Sequence, residues 1–188
     1  MKKIEEQIEI RLSKVKMIMM FIGGLSLFVI GLLLVFFEPG YIDYTSRRSW
    51  IMRPIPRFLS GLLLIIFFGF FLVFILIKLF DKKKGIIINK IGIIDNSSGL
   101  SVGLVLWSDI KEIEIVTINH QKLIMLILKN PQDYLNKVTS KLKRKGMQIN
   151  YKWYGSPISI SANTLQISHK DLFRLISEKM EQYKEENY

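Results

Sequence analysis

Two long stretches without a charged residue constrain this chain more than any other feature of its sequence. Residues 17–37, MIMMFIGGLSLFVIGLLLVFF, hold 21 residues, and residues 58–77, FLSGLLLIIFFGFFLVFILI, hold 20. A helix rises about 1.5 Å per residue, so each stretch can cross the hydrocarbon core of a bilayer. Apolar residues cover every face of both helices, whereas a core helix of a soluble protein has one apolar stripe. We therefore predict two transmembrane helices.

The alternative for the first stretch is a cleaved signal peptide. Its apolar part exceeds the usual length of about 7 to 15 residues, no A-x-A-like cleavage site follows, and a second span does. Each predicted helix also carries two glycines near one face, Gly24 with Gly31 and Gly61 with Gly69. Small residues let helix backbones approach in a membrane, so these positions predict where the two helices pack.

The distribution of basic residues predicts the orientation. Ten of them flank the spans on the side of the termini, and only four lie in the connecting loop, Arg47, Arg48, Arg53 and Arg57. Lys and Arg are retained on the cytoplasmic side, which predicts cytoplasmic termini and an external loop. Three loop residues are typical of an interfacial aromatic belt, Tyr41, Tyr44 and Trp50. Much of the net charge of +11 lies close to the spans and suits anionic lipid headgroups better than nucleic acid.

These features divide the chain into six segments. They are a cytoplasmic N-terminal strand and juxtamembrane segment (1–16), the first span (17–37), an external loop (38–57), the second span (58–77), a basic linker (78–84) and a cytoplasmic domain (85–188). The last is long enough for one small domain. Its first half consists of short Ile-rich and Val-rich runs separated by turn residues, which predicts an antiparallel meander; the runs are 85–89, 92–95, 102–107, 110–118 and 122–129.

The second half of the domain changes to a helical period. Asn130 and Pro131 are typical N-cap and first-turn residues, and they predict a helix over 131–145 that ends at Gly146. A short strand is predicted at 156–161. Ser168 and Asp171 have the spacing of a capping box before a final helix with one apolar stripe.

The N-terminal segment has two interpretations. Ile4, Ile8, Leu12 and Val15 have helical spacing, but Ile8, Ile10 and Leu12 also alternate with polar residues. We favour a strand over 7–13 that joins the cytoplasmic sheet, with Ser13 as the N-cap of the first membrane helix. The domain then has seven strands followed by a C-terminal helix.

This order of elements resembles the bacterial pleckstrin-homology-like (PH-like) domain, an α+β fold with an antiparallel β-sandwich or partly open barrel and a C-terminal helix. LWSDI at 106–110 is similar to the proline-tryptophan-acidic-isoleucine step of such domains, with Leu106 in place of the proline. The segments RLSKVK, KLFDKKKG, GIIDNSSG, WSDI, KNP and YGSPISIS resemble an uncharacterised family of small bacterial membrane proteins with two spans, over about residues 8 to 184. The resemblance implies a two-span anchor in the bacterial cytoplasmic membrane, a cytoplasmic PH-like domain, and no assigned activity or catalytic residues.

The sequence offers little for catalysis. His120 and His169 lie about fifty residues apart without the spacing of a metal site, and there is no cysteine. Both histidines are predicted at the surface, and Glu112 and Glu114 on the solvated face of a strand. Trp107 at a strand end is either a core residue or an aromatic contact for a ligand, and core packing is the favoured interpretation. We predict a protein that is not an enzyme and has no cofactor.

The strongest functional candidate is a basic and aromatic surface stretch. Its residues combine cations with aromatic rings and are Lys137, Lys141, Lys143, Arg144, Lys145, Lys152, Trp153 and Tyr154. This mixture suits an anionic lipid surface or a protein partner. The alternative is a solvated basic helix, whose late cations complement its C-terminus, followed by core aromatics.

Three classes of function follow. The favoured one is a membrane-proximal binding or regulatory module that recognises a protein or anionic lipid. The second is an immunity or self-protection protein that occupies the membrane target of a toxin. The third, a membrane enzyme, requires acids, histidines or hydroxyls clustered in one pocket.

Overall fold

The computed structural model describes residues 7–37, 40, 52–118 and 121–187. The chain forms two compact units: Lys14–Lys82, and Met1–Ser13 together with Lys83–Tyr188. The predictions made for Tyr41, Tyr44, Trp50 and His120 fall outside the described residues.

The first unit consists of two long helices. Helix α1 spans Lys14–Phe36 and helix α2 spans Pro54–Phe80. Both are long and apolar enough to cross a membrane by length and composition. Each helix also extends beyond its apolar run at the N-terminal end, and α2 begins with Pro54 in its first turn, where a missing N–H costs no hydrogen bond. The chain therefore contains two candidate membrane-spanning helices.

Glycines mark the contact between α1 and α2. A Cβ atom on Gly31 would lie 2.9 Å from Leu64 Cβ and 3.0 Å from the carbonyl oxygen of Gly61. A Cβ on Gly61 would lie 2.8 Å from the carbonyl oxygen of Gly31. Gly24 meets a phenylalanine ring at 2.8 Å, while Gly69 has only an ordinary contact at 3.5 Å. The predicted glycine packing is confirmed and is closest between Gly31 and Gly61.

The second unit contains two antiparallel sheets among the described residues. The first has the order β1-β2-β3-β4, formed by Ile8–Ile10, Ile86–Ile88, Gly92–Asp95 and Gly103–Leu106. The second has the order β5-β6-β7, formed by Ile110–Ile118, Gln121–Leu128 and Ser159–Ile160. The antiparallel strands predicted from the sequence are confirmed, but the single meander is divided, with β2, β3 and β4 in the first sheet and β5 and β6 in the second. Strand β7 is shorter than the predicted 156–161, and Pro157 just before it has no N–H to donate to a ladder.

Strand β1 joins the sheet across the helical pair in sequence. Ile8 pairs with Ile88 and Ile10 with Ile86 in antiparallel register. Lys84 Nζ lies 2.7 Å from Glu9 Oε2, and this lysine lowers the pKa of the Glu9 carboxyl. The strand interpretation of the N-terminal segment is therefore confirmed, and Ser13 directly precedes α1.

The helices of this unit correct one prediction. Helix α3 spans Pro131–Lys137 and helix α4 spans Lys141–Tyr154, so the single helix predicted over 131–145 is wrong. Ser140 caps α4 by accepting a hydrogen bond from the N–H of Lys143 at 3.4 Å. Gly146 lies inside α4 rather than at a helix end, and it packs closely on Leu100, whose Cδ2 would lie 2.8 Å from a Cβ at this position. Gly155, with φ of 75°, ends the helix instead.

The C-terminal helix α5 spans His169–Asn187 and begins as predicted. Ser168 Oγ accepts the N–H of Asp171 at 3.1 Å and donates to its carboxylate at 2.7 Å. The stripe Leu172, Ile176 and Met180 is buried. Together with sheet residues it forms the core, in which the most buried side chains include Ile93, Val105, Ile124, Leu126, Ile160 and Leu165.

The corner between the two sheets is a 3₁₀ turn, Trp107–Asp109. Trp107 is 2% exposed, and its Nε1 donates to the carbonyl oxygen of Asn89 at 2.9 Å. The Tyr134 hydroxyl of α3 donates to Asp109 Oδ2 at 2.7 Å and accepts the N–H of Leu106 at 3.3 Å. Trp107 is thus a core residue, as predicted, and Asp109 anchors α3 as well as forming the turn.

Candidate functional site

Helix α4 carries most of the basic and aromatic stretch, and one of its faces is fixed to the domain. Met147 is fully buried. Asn150 Nδ2 donates to Ser159 Oγ of β7 at 3.2 Å. These contacts fix which side chains of the helix face outward.

Several of the predicted cations have local structural roles. Arg144 Nε donates to the carbonyl oxygen of Leu135 at 2.8 Å, and its Nη2 reaches the backbone and side-chain oxygens of Asn136 at 3.3 and 3.4 Å. Arg144 therefore ties α4 to α3. Lys137 Nζ lies 4.7 Å from the centre of the Tyr134 ring, a cation–π distance. Lys143 is half-buried, as is the aromatic Tyr154.

The outward face of α4 contains an apolar stripe. Leu142 is 83% exposed, Ile149 48% and Trp153 70%. They stand seven and four residues apart, so at about 100° per residue they lie on one line along the helix. Exposed apolar side chains aligned in this way form a candidate interaction surface.

A stripe of lysines runs beside the apolar one. Lys141, Lys145 and Lys152 are exposed, and the helical period places them on a line about 80° round the helix from the apolar stripe. Among the described residues none of these three lysines forms an ion pair. We call the six residues of the two stripes the α4 face. It presents uncompensated positive charge next to exposed apolar surface.

The α4 face revises the residue set predicted from sequence. Of the eight predicted residues it retains Lys141, Lys145, Lys152 and Trp153, and it adds Leu142 and Ile149. In a single helix over 131–145, Leu142 would share an apolar face with Tyr134, Leu135 and Val138, but the break between α3 and α4 changes the helical register. The interpretation of the aromatics as core residues is wrong for Trp153, because its side chain is exposed. Its ring centroid lies 6.4 Å from that of Tyr154.

The candidates for chemistry have structural explanations. His169 is half-buried rather than at the surface, and its Nε2 accepts the N–H of Ala162 at 3.1 Å. Glu112 and Glu114 are exposed, as predicted. Within the ranges that the structure describes, no group of three or more His, Cys, Asp or Glu residues is placed to hold a metal ion.

Comparison with known proteins adds no assignment. No family model, curated protein or solved structure matches this chain. The function therefore has to be argued from the two apolar helices and from the surfaces of the domain.

Proposed function

We propose that this protein is a non-enzymatic binding module of the bacterial cytoplasmic membrane, with a PH-like domain that uses the α4 face to bind anionic lipid. The observation that carries the proposal is the pair of parallel stripes, Leu142 with Ile149 and Trp153, and Lys141 with Lys145 and Lys152. Helices that lie in a membrane interface have this combination of apolar side chains and cations.

Two features support cytoplasmic placement of the domain. Strand β1 precedes α1 and its partner β2 follows α2, so two membrane crossings return the chain to the side from which it started. The ten-to-four distribution of basic residues makes that side the cytoplasmic one. The PH-like assignment is supported by sheets of four and three antiparallel strands followed by α5.

The energies favour binding of a tethered domain. A Lys near an anionic surface contributes about 1 kcal/mol, and full burial of a Leu or Ile side chain about 1.5 to 3 kcal/mol. Such terms are modest for a free protein, which also loses translational freedom on binding. Only a few residues separate Ile10 from α1 and α2 from Ile86, so the domain is held at a high effective concentration near the bilayer.

A polarity-sensitive fluorophore on the α4 face would test the proposal. The sequence has no cysteine, so Leu142→Cys provides a single labelling site, and exposed Gln132→Cys on α3 provides the matched control. In nanodiscs of anionic lipid we expect a blue shift of the emission at position 142 alone. The shift should shrink in neutral lipid and, because salt screens exposed charges, at high salt.

Charge reversal distinguishes lipid binding by the α4 face from general electrostatic attraction between a basic domain and an anionic membrane. Replacing Lys141, Lys145 and Lys152 by Glu should abolish the blue shift at position 142. A control with the same net charge change, Lys122, Lys129 and Lys170 to Glu, should keep most of it, since these exposed lysines lie outside the α4 face. Equal emission in anionic and neutral lipid, or equal loss in the two variants, would refute lipid binding by this face.

A further inference from the structure

A second surface lies between helix α5 and the start of β5, on residues that do not belong to the α4 face. Two neighbouring cavities of about 230 and 340 Å³ open there and share Lys111 and Lys184. We call them together the β5–α5 groove. Neither cavity contains a residue of the stretch on which the proposed function rests.

The first cavity combines an apolar floor with a basic rim. Trp107, Ile110 and Tyr183 form the floor. The rim carries the exposed lysines Lys111, Lys129 and Lys184, and no carboxylate lines this cavity. Within the described part of the chain, these three lysines form no ion pair. The carboxylates of Glu112 and Glu181 line the second cavity. Three cations around the apolar floor of the first suit a ligand that ends in a negative charge.

Strand β5 lines one side of the groove and is an edge strand. It is nine residues long, and among the strands of the described residues it pairs with β6 alone. Its other side presents backbone N–H and C=O groups, which an added strand can pair with. The β5–β6 register shifts between Ile110 and Glu112, so regular geometry for a new strand extends from Glu112 to Ile118 and ends beside the three-lysine cavity.

A second copy of this chain is a poor occupant, because its β5 continues into β6 and so brings no terminal carboxylate to the three lysines. Antiparallel pairing of two β5 strands about Ile113 would set Glu112 of each copy against Glu114 of the other. Like charges directly opposite one another destabilise a strand pair. The chemistry favours a different protein with an extended segment of its own.

The direction of β5 determines which end of the added segment lies near the three lysines. A strand added antiparallel to β5 has its C-terminal end at the N-terminal end of β5, where Lys111, Lys129 and Lys184 stand. We propose that the β5–α5 groove binds the extended C-terminal tail of a partner protein, which pairs with β5 over Glu112 to Ile118 and places its terminal carboxylate among the three lysines. The protein then has a protein-binding surface in addition to the α4 face.

The test uses the full-length protein in nanodiscs and a synthetic pool of randomised peptides matched to β5 in length, with free C-terminal carboxylates. Bound peptides are identified, and the strongest binder is resynthesised in three forms: with the free carboxylate, with a C-terminal amide, and with alternate backbone nitrogens methylated. We expect amidation to weaken binding by about tenfold, because a charged hydrogen-bonding group is lost. Methylation should also remove binding, since a strand needs its N–H groups to pair with β5.

Two protein variants complete the test. Lys111→Glu with Lys184→Glu should abolish the preference for the carboxylate over the amide. Lys122→Glu with Lys170→Glu, at exposed positions outside the groove, should preserve it with the same net charge. The proposal is overturned if no peptide binds, if the amide binds as well as the acid, or if both variants behave alike. Substitutions in the α4 face should not change this binding, so failure here leaves lipid binding unaffected.

Discussion

Replacing Tyr134 by Phe should destabilise the sheet domain through the loss of one hydroxyl group. This hydroxyl donates to Asp109 Oδ2 at 2.7 Å and accepts the N–H of Leu106 at 3.3 Å. Tyr134 is 3% exposed, so water cannot easily replace the lost group. Phe keeps the ring and its packing, and the change therefore isolates the two hydrogen bonds.

The expected decrease in the free energy of unfolding is about 2 kcal/mol. A hydrogen bond to a charged group contributes about 1.5 to 3 kcal/mol, and a buried N–H left without an acceptor costs about 1 to 3 kcal/mol. The sum is an overestimate here. Asp109 is half-buried and can recover hydration, and the 3.3 Å contact to Leu106 is long. A loss of about 2 kcal/mol is a large part of the stability of a small domain.

The measurement is urea unfolding of the full-length protein in detergent micelles, followed by tryptophan fluorescence, to which buried Trp107 contributes. Tyr151→Phe is the matched control. Tyr151 is 37% exposed, and its hydroxyl forms no hydrogen bond with any residue that the structure describes. We expect a lower midpoint for Tyr134→Phe and an unchanged one for Tyr151→Phe, with equal slopes. Equal midpoints for the two variants would refute the structural role of the Tyr134 hydroxyl.

Two further predictions concern pH and the helical pair. Burial, with the hydrogen bond to Asp109, raises the pKa of Tyr134 from 10.0 to about 12. The protonated hydroxyl therefore contributes fully to the stability of the fold below pH 10, and this contribution is lost as pH rises through 12. The stability difference between wild type and Tyr134→Phe should therefore narrow over that range in urea titrations; a constant difference would contradict it. Gly31→Leu should separate α1 from α2 and cost about 1 to 3 kcal/mol, because its Cβ overlaps Gly61. Gly23→Leu, with nothing within 4 Å of its Cβ, should be neutral, and thermal unfolding in detergent compares the two.

Local patterns allowed much of the fold to be predicted. The alternation of Ile8 and Ile10 indicated β1, and the capping pair Ser168 and Asp171 indicated the start of α5. Trp107 was expected in the core because it ends a strand at a turn. In each case the residues that form the recognisable pattern are close together in sequence.

Predictions failed where distant residues decide the structure. Gly146 was expected to end a helix, but it lies inside α4 against Leu100, which is far away in sequence. Arg144 was expected at a binding surface, and only the turn between α3 and α4 brings it to the carbonyl oxygen of Leu135. The apolar stripe of the α4 face was missed for the same reason, since a helix that ends at Gly146 would leave Ile149 and Trp153 outside it.

The pairing of β1 with β2 has a consequence for how the protein is made. The ribosome synthesises Ile8–Ile10 first, but the strand partner Ile86–Ile88 follows only after Lys14–Lys82 has been translated. The first sheet therefore stays incomplete throughout synthesis of the helical pair. A nascent chain that stalls within α2 has no partner for β1, and its unpaired strand is open to the quality-control chaperones and proteases of the cell.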